Sequence, residues 1–182
     1  MILNVLDERP IVVALAGSNG AGKTTFYHVH LADTGLRFVN ADDLANELKL
    51  GPYEAAEVAD TLRQSLIAKG ESFVFETVFS DPVGAKIAFL HEAIREGFRV
   101  VLIFVKIPDV EVSRERVSMR AAQGGHDVPD DKIEGRFSRT LANLQRAIDT
   151  LPFVLVYDNS DMLNPFRHVA SYVNGEPLDV EN

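Results

Sequence analysis

The sequence contains no cysteine, which excludes disulfides and thiolate-held metals and fits a reducing compartment such as the cytosol. Long apolar runs are missing as well: Val100 to Val105 falls far short of the roughly 20 residues that span a bilayer. Met1 to Arg9 carry Asp7 and Glu8 and no extended apolar segment, so no secretory signal is expected there. Positive charge is scarce. With 18 Lys and Arg against 27 Asp and Glu, the formal charge is −9, which argues against a general nucleic-acid binder, because that function needs a basic footprint for phosphates. Internal repeats and low-complexity segments are also missing. At 182 residues, 46% of them hydrophobic, the chain is expected to form one cytoplasmic domain, 1–182, with no membrane partner.

What is present is a run of glycines in a telling place. Gly17-Ser18-Asn19-Gly20-Ala21-Gly22-Lys23-Thr24, followed by Thr25, comes directly after the apolar stretch 11–16 and before a helix-compatible one, 25–32. Glycines let the backbone wrap a phosphate without side-chain clash, so that successive N–H groups point inward at a helix start, where the dipole favours anions. Lys23 is placed to reach the β- and γ-phosphates of ATP, and the Thr24 hydroxyl to ligate Mg²⁺. Without nucleotide, Lys23 is expected to be exposed to solvent.

Short β-branched or aromatic runs at 11–15, 37–39, 72–75, 99–105 and 153–157 alternate with helical stretches at 42–49, 53–68, 82–96, 110–122 and 130–150. That alternation predicts a three-layer, doubly wound α/β fold with a parallel sheet of five strands and helices on both faces. Gly70 and Gly97 mark helix ends. Asp81-Pro82 is expected to open a helix, with Asp81 as its cap and Pro82 at its first position. The stretch Gln123 to Pro129, with Gly124, Gly125 and His126, reads as a hinge loop between two long helices. The tail 164–182 reads as a peripheral ribbon whose turn is Asn174-Gly175.

Ligands of open α/β sheets collect beyond the carboxyl ends of the strands. Three polar clusters follow such ends: Asn40-Ala41-Asp42-Asp43, Glu76-Thr77 and Asp158-Asn159-Ser160. Asp42 has two readings, helix N-cap or catalytic carboxylate. Glu76, ending the apolar run Phe73-Val74-Phe75, must find a cation, a metal or a donor. His28 and His30, two apart on a helix, do not face one ion together. Six arginines, Arg114, Arg116, Arg120, Arg136, Arg139 and Arg146, crowd one third of the chain. They form either solvated helix faces or a local cationic clamp on an acidic protein.

The phosphate loop, Val39-Asn40-Ala41-Asp42, Phe75-Glu76-Thr77, Gly124-Gly125-His126-Asp127-Val128-Pro129 and Tyr157-Asp158-Asn159-Ser160, in this order, resemble the zeta-toxin-like kinases, particularly their short bacterial branch. The resemblance covers about 11–160 and implies a nucleoside-monophosphate-kinase-like core. The best known members phosphorylate the 3′-hydroxyl of UDP-N-acetylglucosamine, and an antitoxin-like protein partner is implied with them. By resemblance, Asp42 is the base toward the substrate hydroxyl. Asn40, Glu76, Thr77 and His126 lie on the substrate side, and Arg120 and Arg136 are lid arginines within 113–137. Asp158, Asn159 and Ser160 lie beside the adenine. Where the short branch often clusters arginines just before Arg136, this chain has Glu134 and Gly135.

Phosphoryl transfer needs charge neutralisation on the equatorial oxygens and a carboxylate to orient the hydroxyl in line. Lys23, Thr24 with Mg²⁺, Arg120 and Arg136 are suited to the first, Asp42 to the second. No Leu-Ser-Gly-Gly-Gln-like signature and no Asn-Lys-x-Asp motif are found, against an ABC-type ATPase and a GTPase. Two alternatives stay open: a kinase of another small alcohol, such as an antibiotic or sugar, and an ATP-binding module controlled by a protein partner.

Overall fold

The computed structural model of the protein describes residues 5–123 and 128–178. Strand β1 (Ile11–Ala16) is buried at every position, as expected of a central strand covered on both faces. After the phosphate loop comes the short helix α1 (Lys23–Phe26), which widens into a π turn over Tyr27–Leu31. Then follow β2 (Arg37–Val39), α2 (Ala41–Leu48), α3 (Pro52–Ala68), β3 (Phe73–Thr77), α4 (Ala85–Arg95), β4 (Arg99–Lys106), α5 (Val110–Ala122), α6 (Asp130–Thr150), β5 (Phe153–Asp158), β6 (Arg167–Val173) and β7 (Glu176–Leu178).

The five expected strands all form, and their neighbours are all parallel, in the order β2-β3-β1-β4-β5. The sheet nevertheless has seven strands, not five: β6 pairs antiparallel with β5, and β7 with β6. The Asn174-Gly175 turn forms where expected, and the ribbon it closes adds the two extra strands at the edge of the sheet. β6 escapes the apolar-run criterion because most of its residues are only half-buried. Its identity as a strand comes from its partner β5.

Alternate residues of the strands feed two apolar layers. On one face Val12, Ala14, Phe73, Phe75, Leu102 and Phe104 pack under α3, α4 and the second half of α6. On the other, Val13, Leu15, Val74, Ile103 and Val105 pack with Phe26, Leu31 and Tyr157. This is the period-2 geometry of strands turned into a three-layer core.

One helix boundary differs from expectation. α4 starts at Ala85 with Gly84 before it, not at Pro82. The cap position falls to Gly84 instead of Asp81, although the Asp81 carboxylate still accepts the Ala85 N–H, and the Lys86 N–H at 3.5 Å. The intervening turn sets Asp81 four residues before the first helical one, from where its side chain reaches the free N–H groups of the helix start. Among the described residues, no helix is long and apolar enough to cross a membrane.

Candidate active site

The phosphate loop is gripped from three sides. At its entry the end of β4 presses so close that a Cβ on Gly17 (φ +152°) would sit 2.3 Å from the Val105 carbonyl oxygen. At its exit Gly22 (φ +90°) leaves no room either, since a Cβ there would lie 2.7 Å from Asn159 Nδ2. Both positions therefore require glycine. The loop carbonyls are taken up by side chains: Ser113 Oγ donates to Asn19 O at 2.7 Å and Asn159 Nδ2 to Ala21 O at 2.9 Å. Arg116 bridges Gly20 O (3.3 Å) and Asn159 O (3.0 Å), and Lys23 Nζ reaches back to Ser18 O at 3.1 Å. Occupying its oxygens in this way suits an anion cradle, which must present N–H dipoles to the ligand.

Lys23 is only 6% exposed, contrary to the expectation that it faces solvent. The loop folds over it, and Glu76 Oε1 lies 3.7 Å from its Nζ. Burial lowers its pKa, the charges of Glu76 and Asp42 work against that, and the charge of Arg120 adds to it. Asp42 and Arg120 are thus both within electrostatic reach of the phosphate-loop lysine. Thr24 and Thr25 are exposed on the first turn of α1.

Glu76 finds donors as well as a cation. β3 runs beside β1 with Glu76 level with Leu15, so its side chain emerges where the phosphate loop begins. Its Oε2 accepts the Thr24 hydroxyl at 2.8 Å and the Asn40 amide at 3.0 Å. The oxygen of the same Asn40 amide, Oδ1, accepts the Asp42 N–H at 2.8 Å, so Asn40 is the N-cap of α2. Asp42 sits in the first helical turn and is not the cap. Its neighbour Asp43 has its pKa raised by burial and then by the charges of Asp42 and Glu47.

A cavity of about 200 Å³ opens beside this group, lined by Asn40, Asp42, Glu76 and Thr77 and, farther along, by Asp60, Arg63 and Lys86. The Thr77 hydroxyl accepts the Phe79 N–H at 3.0 Å, which gives it a structural task besides lining the cavity.

The arginines have divided fates. Arg114 pairs with Glu111 (2.7 Å) and Glu134 (3.0 Å), Arg116 braces the loop, and Arg139 Nε donates to Ser80 O at 2.9 Å. Arg120 lies exposed at the end of α5. Arg136 is half-buried on α6, one turn before Thr140. Thr140 and Asn143 bind the carbonyls of Val78 (2.9 Å), Phe79 (3.0 Å) and Asp81 (2.9 Å). That docking fixes the face of α6 that Arg136 shares, next to the segment leaving Thr77.

Asp158 and Asn159 serve the backbone. Asp158 Oδ1 accepts the Ser160 N–H at 2.9 Å and also its hydroxyl, and Oδ2 lies 3.7 Å from Lys106 and 3.6 Å from Arg167. Burial pushes the Asp158 pKa up, but the Ser160 bonds and the two cations outweigh it and lower it on balance. Gly124, Gly125 and His126, and with them the centre of the expected hinge, lie outside the described residues.

Sequence reasoning missed Ser113 and Arg116 as loop braces and Asp60, Arg63 and Lys86 as cavity wall. All five lie within helices, and no local pattern marks them.

An α/β domain with a buried lysine in a glycine loop beside a carboxylate-lined cavity is a P-loop domain of the kinase kind. Residues 12–146 match the AAA domain family, and the chain belongs to it. No curated protein matches the sequence. Among solved structures, the AvrRxo1-ORF1:-ORF2 complex with ATP shares the fold at a TM-score of 0.71 and 20% identity, over 97% of this chain and 62% of that one. This chain therefore spans less than two thirds of that relative. The PezAT toxin-antitoxin system of Streptococcus pneumoniae aligns at a TM-score of 0.62 and 17% identity, over 82% of this chain and 69% of the other. A gluconokinase from Sinorhizobium meliloti aligns at 0.50 and 16%, over 84% of each chain.

Proposed function

We propose that the protein is an ATP-dependent kinase that transfers the γ-phosphate to a hydroxyl of a small acceptor. The observation that carries this reading is the shared wall: Glu76, bonded to Thr24 of the phosphate loop, and Asp42, within electrostatic reach of Lys23, both line the same cavity beside the loop. A nucleotide on the loop thereby faces an acceptor across a short gap, which is most of what phosphoryl transfer asks of a protein.

In this reading the N–H groups from Gly17 through Thr25, with Ser18, Asn19, Gly20, Ala21 and Gly22 shaping the turn, hold the phosphates, and Lys23 draws charge from the transferred group. Asp42 accepts the hydroxyl proton. Arg120 and Arg136, from the lid region 113–137, offset charge on the equatorial oxygens, and Asn40, Glu76 and Thr77 border the acceptor. Asp158, Asn159 and Ser160 border the base side of the nucleotide.

A hydroxyl and a carboxylate, Thr24 Oγ1 and Glu76 Oε2, meet at 2.8 Å beside the loop, an oxygen set that fits Mg²⁺ when completed by phosphate oxygens and water. Bound there, the ion would neutralise phosphate charge. Among the described residues no cluster of three His, Asp or Glu side chains offers a metal site independent of nucleotide, in keeping with an ion that arrives with ATP.

The resemblance to zeta toxins makes UDP-N-acetylglucosamine one acceptor to test, in a cytoplasmic protein acting as one domain. The toxin-antitoxin neighbour supports testing an antitoxin-like partner as well. Screening hydroxylated acceptors with labelled ATP decides the reading: label should pass to at least one small alcohol. Nucleotide binding with no transfer to any acceptor would establish the ATP-binding module instead.

A further inference from the structure

Two separate charge clusters line the cavity. One is on the wall at Asn40 and Glu76, with Glu76 tied behind it to Thr24 and Lys23 as described above. The other is built on α3 and α4, where Asp60 Oδ1 is the ion partner of both Arg63 and Lys86, the latter at 2.8 Å. Arg63 is 6% exposed, with its guanidinium 4.9 Å from the centre of the Phe75 ring and 5.6 Å from that of Phe89. Among the described residues its buried Nε has no hydrogen-bond partner.

Two cations bring more N–H donors than one carboxylate oxygen can accept. Asp81 also lies within electrostatic reach of Lys86, but its oxygens are occupied by the first N–H groups of α4. A purely structural bridge between α3 and α4 is the plainer account. Apolar residues around the buried Arg63 would do that work as well, however, and they would not leave a second cation on the cavity wall sharing the half-exposed carboxylate of Asp60. Burial and then the charge of Arg63 pull the Lys86 pKa down to about 8, and burial brings Arg63 to about 10. In the geometry, two cations share the one carboxylate of Asp60. The cavity's size, about 200 Å³, lies below the roughly 300–1,000 Å³ of pockets for drug-sized ligands, so what enters is a small molecule or one end of a larger one.

We infer that Arg63 and Lys86 form an anion subsite, and that the acceptor carries a carboxylate or phosphate group in addition to the hydroxyl to be phosphorylated. The anion subsite stands on the cavity alone, and the hydroxyl rests on the kinase reading. In the subsite a charge-assisted hydrogen bond from each cation reaches an oxyanion oxygen, and the distance to Asp42 selects which hydroxyl is presented.

Glycerol 3-phosphate, glycerate and glycerol offer the same hydroxyls with a phosphate, a carboxylate or neither. Calorimetry with a non-hydrolysable ATP analogue already bound should detect glycerol 3-phosphate or glycerate and not glycerol, and the better of the two tells phosphate from carboxylate. Lys86→Met should weaken the anionic probe at least ~10-fold, in the range for losing one charged hydrogen bond, without changing the affinity for the analogue. Asp60→Asn should tighten it, because the competing carboxylate charge is gone, an outcome that a bridge serving only stability would not produce. Equal binding of all three probes, binding of none, or equal shifts in probe and analogue affinity would overturn the inference. Phosphate transfer is scored apart: an anionic probe that binds at Lys86 while no acceptor ever receives label leaves the subsite standing and removes the kinase.

Discussion

Thr24 and Glu76, 52 positions apart in sequence, are joined by a 2.8 Å hydrogen bond from hydroxyl to carboxylate. One acid at the end of β3 thus ties the first turn of the phosphate-loop helix to the strand beside β1 and, through Asn40, to the start of α2. Displacing any of these parts displaces the others.

Lys23→Met should abolish phosphoryl transfer and ATP binding. It should also cost stability, which an exposed lysine would not have done. Lys23 is buried against Glu76, and removing one partner of a buried charged pair leaves the other under-compensated, here by about 1–3 kcal/mol, since Glu76 keeps its bonds to Thr24 and Asn40. Urea denaturation measures this, and adding Glu76→Gln should recover part of the loss. A fully active Lys23→Met protein would remove the kinase reading.

Asn40 and Asp42 are expected to separate by assay. Asn40→Ala removes the cap of α2 and should lower stability by about 1 kcal/mol. Asp42→Asn, inside the first turn, should stay within roughly 0.5 kcal/mol yet reduce acceptor phosphorylation ~10²-fold or more, as for loss of a general base, with ATP affinity preserved. Normal turnover in Asp42→Asn would move the search for the base to Glu76 or Asp43.

Arg120→Ala and Arg136→Ala should each lower kcat by more than they raise KM for ATP, because the charge they are proposed to meet develops during transfer. Steady-state kinetics with the acceptor found in the screen supplies the comparison. Wild-type kcat in both variants would return these residues to ordinary helix surface.

Gly17→Ala should be far more damaging than Gly35→Ala. Both positions have positive φ, but a Cβ on Gly35 meets nothing within 4 Å, whereas on Gly17 it collides with a backbone oxygen of β4. Gly35→Ala should therefore cost about 1 kcal/mol of backbone strain alone. Gly17→Ala should in addition displace the loop from β4 and eliminate ATP binding, as read by thermal shift with and without nucleotide.

Lys86 predicts a pH dependence with a definite sign. Its pKa is about 8 in the folded protein against 10.5 for the free side chain, so between these values the unfolded chain binds more protons and stability rises with pH. Below pH 8 the cost of burying the charged form is fully present. Relative to Lys86→Met, the wild type should gain stability across that window in urea titrations. A constant difference between the two proteins would show that the ammonium is not desolvated.

Signals carried by neighbours in the chain were legible in the sequence. The glycine spacing before Lys23 and Thr24 marks a phosphate loop because the tight turn and the helix start are local geometry, and the runs of β1, β3, β4 and β5 declare themselves because strands buried on both faces are largely apolar; β2, at the sheet edge, is marked only by its β-branched and aromatic residues. Partnerships between distant residues were decided only by the tertiary structure. Half-buried β6 became a strand by pairing with β5, and Asn40 took the cap beside Asp42 because its amide could also reach Glu76. Lys23 went inside because the loop closes over it. Arg63 and Lys86, 23 positions apart, became one cluster only when α3 and α4 packed on the same face of the sheet. Strand periodicity and turn geometry are written within a few consecutive residues; burial and charge pairing depend on which surfaces meet, and that is settled only when the layers pack.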